Sequence, residues 1–168
     1  MVPSQISLGG IQRVLQNLRA ERVSIRAQPT ILEGISEACG YSRNISLITE
    51  HVRARLARQI SDGNTAEGGF IPIVSLSPQW EQSFAEALIG QGEERHLSMA
   101  PSKLHEFINA LRQNFERFAL KGESPVLLTS PAVRPYVRSI VERFRPSTVV
   151  ISQNEVHPKA RLKTLGQI

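Results

Sequence analysis

Three short apolar runs constrain this chain more than anything else in it: FIPIVSL (70–76), PVLLT (125–129) and STVVIS (147–152). They are too short for stable helices and nearly continuous in Ile, Val and Leu, as strands buried on both faces of a parallel sheet are. Segments of helical spacing lie between them. SPQWEQSFAEALI opens with Ser77 as cap and Pro78 at the first helical position, and sets Trp80, Phe84 and Leu88 on one face. PSKLHEFINALRQNFERFAL turns Leu104, Phe107, Ile108, Leu111, Phe115 and Phe118 inward. After PVLLT, Ser130 and Pro131 start another helix, with Val133, Val137, Ile140, Val141 and Phe144 inward. RHLSM (95–99) reads as a weaker strand and ARLKTLGQI (160–168) as a last edge strand. The resulting order, strand and helix in alternation, predicts a mostly parallel sheet covered by helices.

Residues 7–60 carry only helical patterns. Leu8, Ile11, Val14, Leu15 and Leu18 share one face behind Ser7 as cap, and VSIR (23–26) is an extended link. QPTILEGISEACG is a second helix, with Pro29 in its first turn, Gly40 at its end and Ile31, Leu32, Ile35 and Ala38 on one face. NISLITEHVRARLARQI fits a single third helix with Ile45, Ile48, Val52, Leu56 and Ile60 inward. SDGNTAEGG (61–69) has almost nothing to bury, and its three glycines would permit a hinge. The expected fold class is α + α/β. A small helical subdomain spans 1–62, a linker 63–69, and an α/β subdomain with a mostly parallel, helix-covered sheet 70–168.

A hydrophobic share of 40% over 168 residues supports a folded chain with one full core or two small ones. The net charge is +5, with a pI near 10, and 16 of the 20 basic residues are Arg. That balance permits nucleic acid, acidic proteins or anionic lipid as partners. Cys39 is the single cysteine, so no internal disulfide forms; its setting is that of a small buried residue. No signal peptide is visible, and no apolar run approaches the roughly 20 residues needed to cross a bilayer, so the chain taken alone is expected to be soluble.

The residues that carry chemistry are dispersed. A nucleotide needs backbone N–H groups brought close to phosphate at a glycine-rich turn. The turns SLSPQW, SMAPSK and LTSPAV lack glycine, and each begins its helix with proline, which removes a donor. GQGEE (90–94) precedes a strand instead of following one. His51, His96, His105 and His157 have no metal-ligand spacing. Ser77 and Ser130 are explained as caps, and Glu93, Glu94 and Glu155 read as solvated loop carboxylates. No catalytic residue, cofactor or metal ligand is assigned, and no enzymatic activity is expected. Arg53, Arg55 and Arg58 flank the inward stripe of the third helix, while Arg134, Arg138 and Arg145 lie on the last one. They read as a solvated face, then as a protein contact. Nucleic acid comes third, because no aromatics are interleaved with them.

GGIQRVLQNLRAERVSIRAQPTILEGISE, LITEHVRARLARQI and PVLLTSPAVRPYVRSIVERFRPSTVVISQNEV together resemble the C-terminal cytoplasmic region of the FHIPEP family of flagellar and type III secretion export-gate proteins. The resemblance runs from about Ile6 to Ile168. It implies a part of a membrane protein lying at the cytoplasmic face of the bacterial inner membrane, comprising the family's third (helical) and fourth (α/β) cytoplasmic subdomains. It also implies a homo-oligomeric, nonameric ring in the full-length protein. The implied role is non-catalytic: docking substrate–chaperone complexes for export, with other export-apparatus and ATPase-complex proteins as partners and no nucleic acid. On this resemblance Val23, Ser24, Ile25 and Arg26 lie at the margin of a protein-binding site, and Arg53, Arg55 and Arg58 serve ring contacts. Two positions depart from the family's pattern: Arg22 stands where glycine is common, and Ala27 where aspartate is common. The alternative function is a basic nucleic-acid-binding module.

Overall fold

The computed structural model describes residues 6–90 and 95–168. Four helices come first: α1 (Leu8–Ala20), α2 (Gln28–Cys39), α3 (Ile45–Arg55) and α4 (Ala57–Gly63). Ser7 caps α1 as expected, its Oγ accepting from Gly10 N at 3.1 Å. Asn44 caps α3 by accepting from Ser46 N and Leu47 N. The single helix expected over 44–60 is broken at Leu56. There the ladder tightens, with Leu56 N donating to both Val52 O and Arg53 O. The break re-aims the chain while keeping Leu56 and Ile60 buried.

The remaining elements are β1 (Phe70–Ser75), α5 (Pro78–Glu86), β2 (Leu88–Ile89), β3 (His96–Leu97), α6 (Pro101–Leu120), β4 (Val126–Thr129), α7 (Arg134–Phe144), β5 (Val150–Ser152) and β6 (Arg161–Gln167). Four strands form one parallel sheet in the order β5-β4-β1-β6. RHLSM is not part of it. Its strand, β3, pairs antiparallel with β2 as a satellite hairpin, Leu88 opposite Leu97 and Ile89 opposite His96. Gly90, at φ +87°, supplies the left-handed backbone that starts the reversal. The expected GQGEE turn lies largely outside the described residues, and Glu93 and Glu94 with it.

Both sheet faces are covered, by different parts of the chain. Ile71, Ile73, Val126 and Ile151 point into the stripe of α1–α4, with Val14, Leu18, Ile31, Ile35, Ile48 and Val52. Val74, Leu76, Leu127 and Val150 point the other way, onto Phe84, Phe107, Leu111, Val137 and Val141 of α5–α7. This is the period-two alternation of a strand, with apolar residues on both sides because both sides are dry. The expected linker is partly built in. Ser61 is buried, its Oγ donating to Glu155 O and accepting from His157 N. Gly68 and Gly69 hold φ of +93° and +83°.

Ser77 caps α5 as expected, accepting from Trp80 N. Ser130 does not cap α7. That helix begins at Arg134, after a turn over 131–133, and its N-cap, Val133, makes no side-chain cap bond. Ser130 is instead gripped by Glu81 of α5, whose carboxylate accepts from Ser130 N at 2.7 Å and from its Oγ at 2.6 Å. The clip fastens the end of β4 to α5. Phe144, expected inward, is 37% exposed and lies under the Arg112 guanidinium.

Candidate functional site

The arginines read as a solvated face turn out to be partly internal. Arg53 on α3 and Arg134 at the start of α7 are each 1% exposed. Their positions follow from helical spacing. Arg53 lies three residues before Leu56 and seven before Ile60, and Arg134 lies three before Val137 and seven before Val141, so each shares an inward stripe. Glu155, expected in a solvated loop, is also 1% exposed, in the 3-10 turn Gln153–Glu155 that follows β5.

These side chains meet between the helical layer and the end of the sheet. Arg53 grips Glu155 in bidentate fashion, Nε to Oε2 at 2.9 Å and Nη2 to Oε1 at 2.8 Å. Glu155 also accepts from Ser152 N, closing a capping box. Arg134 donates from Nη1 to Glu50 of α3 at 2.8 Å, from Nη2 to Glu21 at the end of α1, and from Nε to Val150 O at 3.1 Å. Arg138 reaches the same Glu21 at 3.5 Å. Three carboxyl groups (Glu21, Glu50, Glu155) thus face three guanidiniums (Arg53, Arg134, Arg138). Burial opposes the charge of Arg53, but the hydrogen bond and charge of Glu155 outweigh it and hold its proton more tightly than usual. Glu50 is less well served, with Arg134 as its one ion-pair partner among the described residues. Burial pushes its carboxyl up to about 7 against the pull of Arg134, with Glu155 and Glu21 adding to the rise. Of this cluster, Glu21 and Glu50 carry no signal in the sequence beyond a position beside the inward stripe.

Glu50 also lines an open groove of about 540 Å³ between α3 and the 131–136 segment, whose walls include Tyr41, Leu47, Pro135 and Tyr136. His51 lies in it, bonded to Tyr41 Oη at 2.9 Å and to Glu37 at 2.9 Å. The His51 hydrogen bond holds the Glu37 carboxyl below the usual range. No grouping of three or more metal-ligating side chains occurs among the described residues.

The residues expected at a binding margin sit on the link between α1 and α2. Val23 is buried and Ile25 half-buried against the helical core, while Ser24 and Arg26 are exposed. Gln59 of α4 anchors the link by donating to Ser24 O. Arg22 and Ala27 flank it. Arg22 adopts φ +61°, the left-handed region that favours glycine. Ala27 is the N-cap of α2 and offers no side-chain acceptor, where an aspartate would supply one. Of the arginines expected at ring contacts, Arg53 has no surface to present, being enclosed with Glu155. Arg55 is exposed and paired with Glu33 and Glu37, and Arg58 is exposed on α4.

A helical layer on one face of a four-strand parallel sheet is a fold that the chain shares with solved cytosolic domains of type III secretion systems. Over 99% of its length the chain superposes on 49% of the solved nonameric EscV cytosolic domain from the type III secretion system, with a TM-score of 0.80 and 27% identity. It superposes equally fully on CdsV in the Chlamydia pneumoniae CdsV and CdsO protein complex, covering 49% of that chain with a TM-score of 0.86 and 29% identity. The FHIPEP family model matches residues 1–161, and the chain belongs to the FHIPEP family. It is 56% identical over all 168 residues to the flagellar biosynthesis protein FlhA of Caulobacter vibrioides, of which it spans 24%. The chain thus covers about a quarter of that relative's length. Among the described residues no helix is long and apolar enough to cross a membrane.

Proposed function

We propose that this chain is a non-catalytic docking part of a flagellar protein export gate, lying on the cytoplasmic side of the inner membrane and helping to recruit substrate–chaperone complexes. The observation that carries this reading is the likeness over the whole chain to flagellar FlhA, joined to a fold shared with CdsV in complex with CdsO and with the nonameric EscV cytosolic domain. In this reading residues 1–62 and 70–168 are two subdomains joined by 63–69. The full-length protein forms a ring of nine copies, with Arg55 and Arg58 available for its contacts. The exposed Ser24 and Arg26, on a link whose Val23 and Ile25 are anchored in the core, mark the margin of the docking surface. The ion-pair cluster fits a scaffold, since its charges are matched within the chain and hold layers together. The same fact weakens the nucleic-acid alternative. Arg53, Arg55, Arg134 and Arg138 are matched by carboxylates of this chain and do not form a basic stripe.

The test uses the full-length parent protein in its own bacterium. Ser24→Glu with Arg26→Glu should lower secreted hook and filament protein and reduce capture of export chaperone–substrate complexes, with the parent at its normal level in the membrane. Normal secretion together with normal capture would overturn the assignment of this surface to docking.

A further inference from the structure

Beyond Ser61, which bonds to the Glu155 backbone, lies a different arrangement of charge. A groove of about 410 Å³ is lined by Arg58 of α4, Lys159 of the turn before β6 and Arg161 at the start of β6, with Asp62 as its one carboxylate. Arg58, Lys159 and Arg161 are exposed, and none of them is in an ion pair with a described residue. Lys163 continues the charge two residues along the strand and is exposed as well. β6 is the edge of the sheet. It pairs with β1 on one side, and no described strand pairs with the other. Its first four residues, 161–164, are exposed.

We propose that the open edge of β6 and the basic groove at its start form a docking site for an extended acidic segment of a partner protein. The segment's backbone pairs with β6, and its carboxylates meet Arg58, Lys159, Arg161 and Lys163. Two observations select this occupant. Unpaired N–H and C=O groups along a strand are matched by another polypeptide backbone, which neither a lipid headgroup nor a nucleic acid supplies. The cations make the edge repel a second copy of itself, so the strand that joins it carries negative charge. No Phe, Tyr or Trp lines the groove to stack a base. This inference stands apart from the export reading, because it rests on the edge and its charges alone.

The experiment is a fluorescence-anisotropy titration of the 168-residue chain with a labelled peptide of about eight residues, alternating Glu and Thr. The same peptide N-methylated on alternate backbone nitrogens, anionic phosphatidylglycerol vesicles and a single-stranded oligonucleotide serve as comparison probes. The first peptide should bind, and Arg58→Glu with Arg161→Glu should weaken it at least tenfold. Lys121→Glu with Arg143→Glu, which changes net charge equally at exposed sites elsewhere, should weaken it less than twofold. The N-methylated peptide should bind at least tenfold less tightly. Absence of binding, an equal loss in both charge-reversed pairs, full binding of the N-methylated peptide, or binding of vesicles or oligonucleotide alone would each overturn the proposal.

Discussion

Arg53→Met is the most informative single change in this molecule. It removes two donors from Glu155, at 2.9 and 2.8 Å, and leaves that carboxylate 1% exposed. What remains to Glu155 is Ser152 N at 3.3 Å and the more distant Arg134 Nε at 3.4 Å. An ion left in the interior after its partner is removed costs about 3–5 kcal/mol. Against a total stability on the order of 5–15 kcal/mol that is a large share. At about 2–4 °C per kcal/mol for a chain of this size, the midpoint of thermal unfolding should fall by roughly 10 °C. Glu155→Leu alone should cost a similar amount, since it leaves Arg53 only the more distant Glu21 carboxylate, at 3.7 Å. The double variant, Arg53→Met with Glu155→Leu, should recover most of the loss, since a packed apolar pair can replace a buried ion pair at little net cost. Urea unfolding of the three variants and the parent chain closes the cycle. A loss below about 1 kcal/mol for each single variant, with no coupling between them, would refute the view that this pair holds the helical layer to the sheet.

Glu50 makes stability depend on pH in the direction opposite to an ordinary paired carboxylate. The folded state keeps its proton up to about pH 7, whereas the unfolded chain releases it near pH 4.3. Stability is therefore lost as pH rises between those values, by up to about 4 kcal/mol. Glu50→Gln should flatten the difference between urea midpoints at pH 5 and pH 8, and an unchanged difference would show that Glu50 does not titrate there. Arg22→Gly relieves a left-handed backbone and Ala27→Asp supplies a missing helix cap. Each should stabilise by about 0.5–1 kcal/mol, read as a higher urea midpoint with an unchanged slope.

Much of the fold is legible because it rests on local patterns. Ser7 and Ser77 sit where caps are needed, the long α6 shows its stripe, and the apolar runs of β1, β4 and β5 announce a sheet buried on both sides. The coverage of one face by α1–α4 is not legible, since nothing local says which distant element dries a strand. RHLSM has the composition of a strand, but pairing decides its sheet, and its partner is β2. The break at Leu56 is silent because the inward residues stay in phase across it. The site is harder still. Arg53 and Arg134 occupy inward positions that the periodicity already contains, yet charge argues for water and outweighs position. Glu155 can be read as internal only when Arg53 is known to reach it. A charged residue in phase with an apolar stripe therefore signals a buried partner elsewhere, without saying where.

The Arg53–Glu155 pair joins residues 102 positions apart, and this sets an order of events during synthesis. Arg53 and the apolar stripe of α1–α4 leave the ribosome well before the 3-10 turn that neutralises the one and the strands that cover the other. At about 5–20 residues per second, that wait is roughly 5–20 s. Throughout it the nascent chain displays an uncovered sticky surface together with a guanidinium whose bidentate partner, Glu155, has yet to be made. Native closure of the helical layer is consequently a late step, and a ribosome stalled before residue 155 would hold a chain prone to capture by holdases or by other nascent copies of itself.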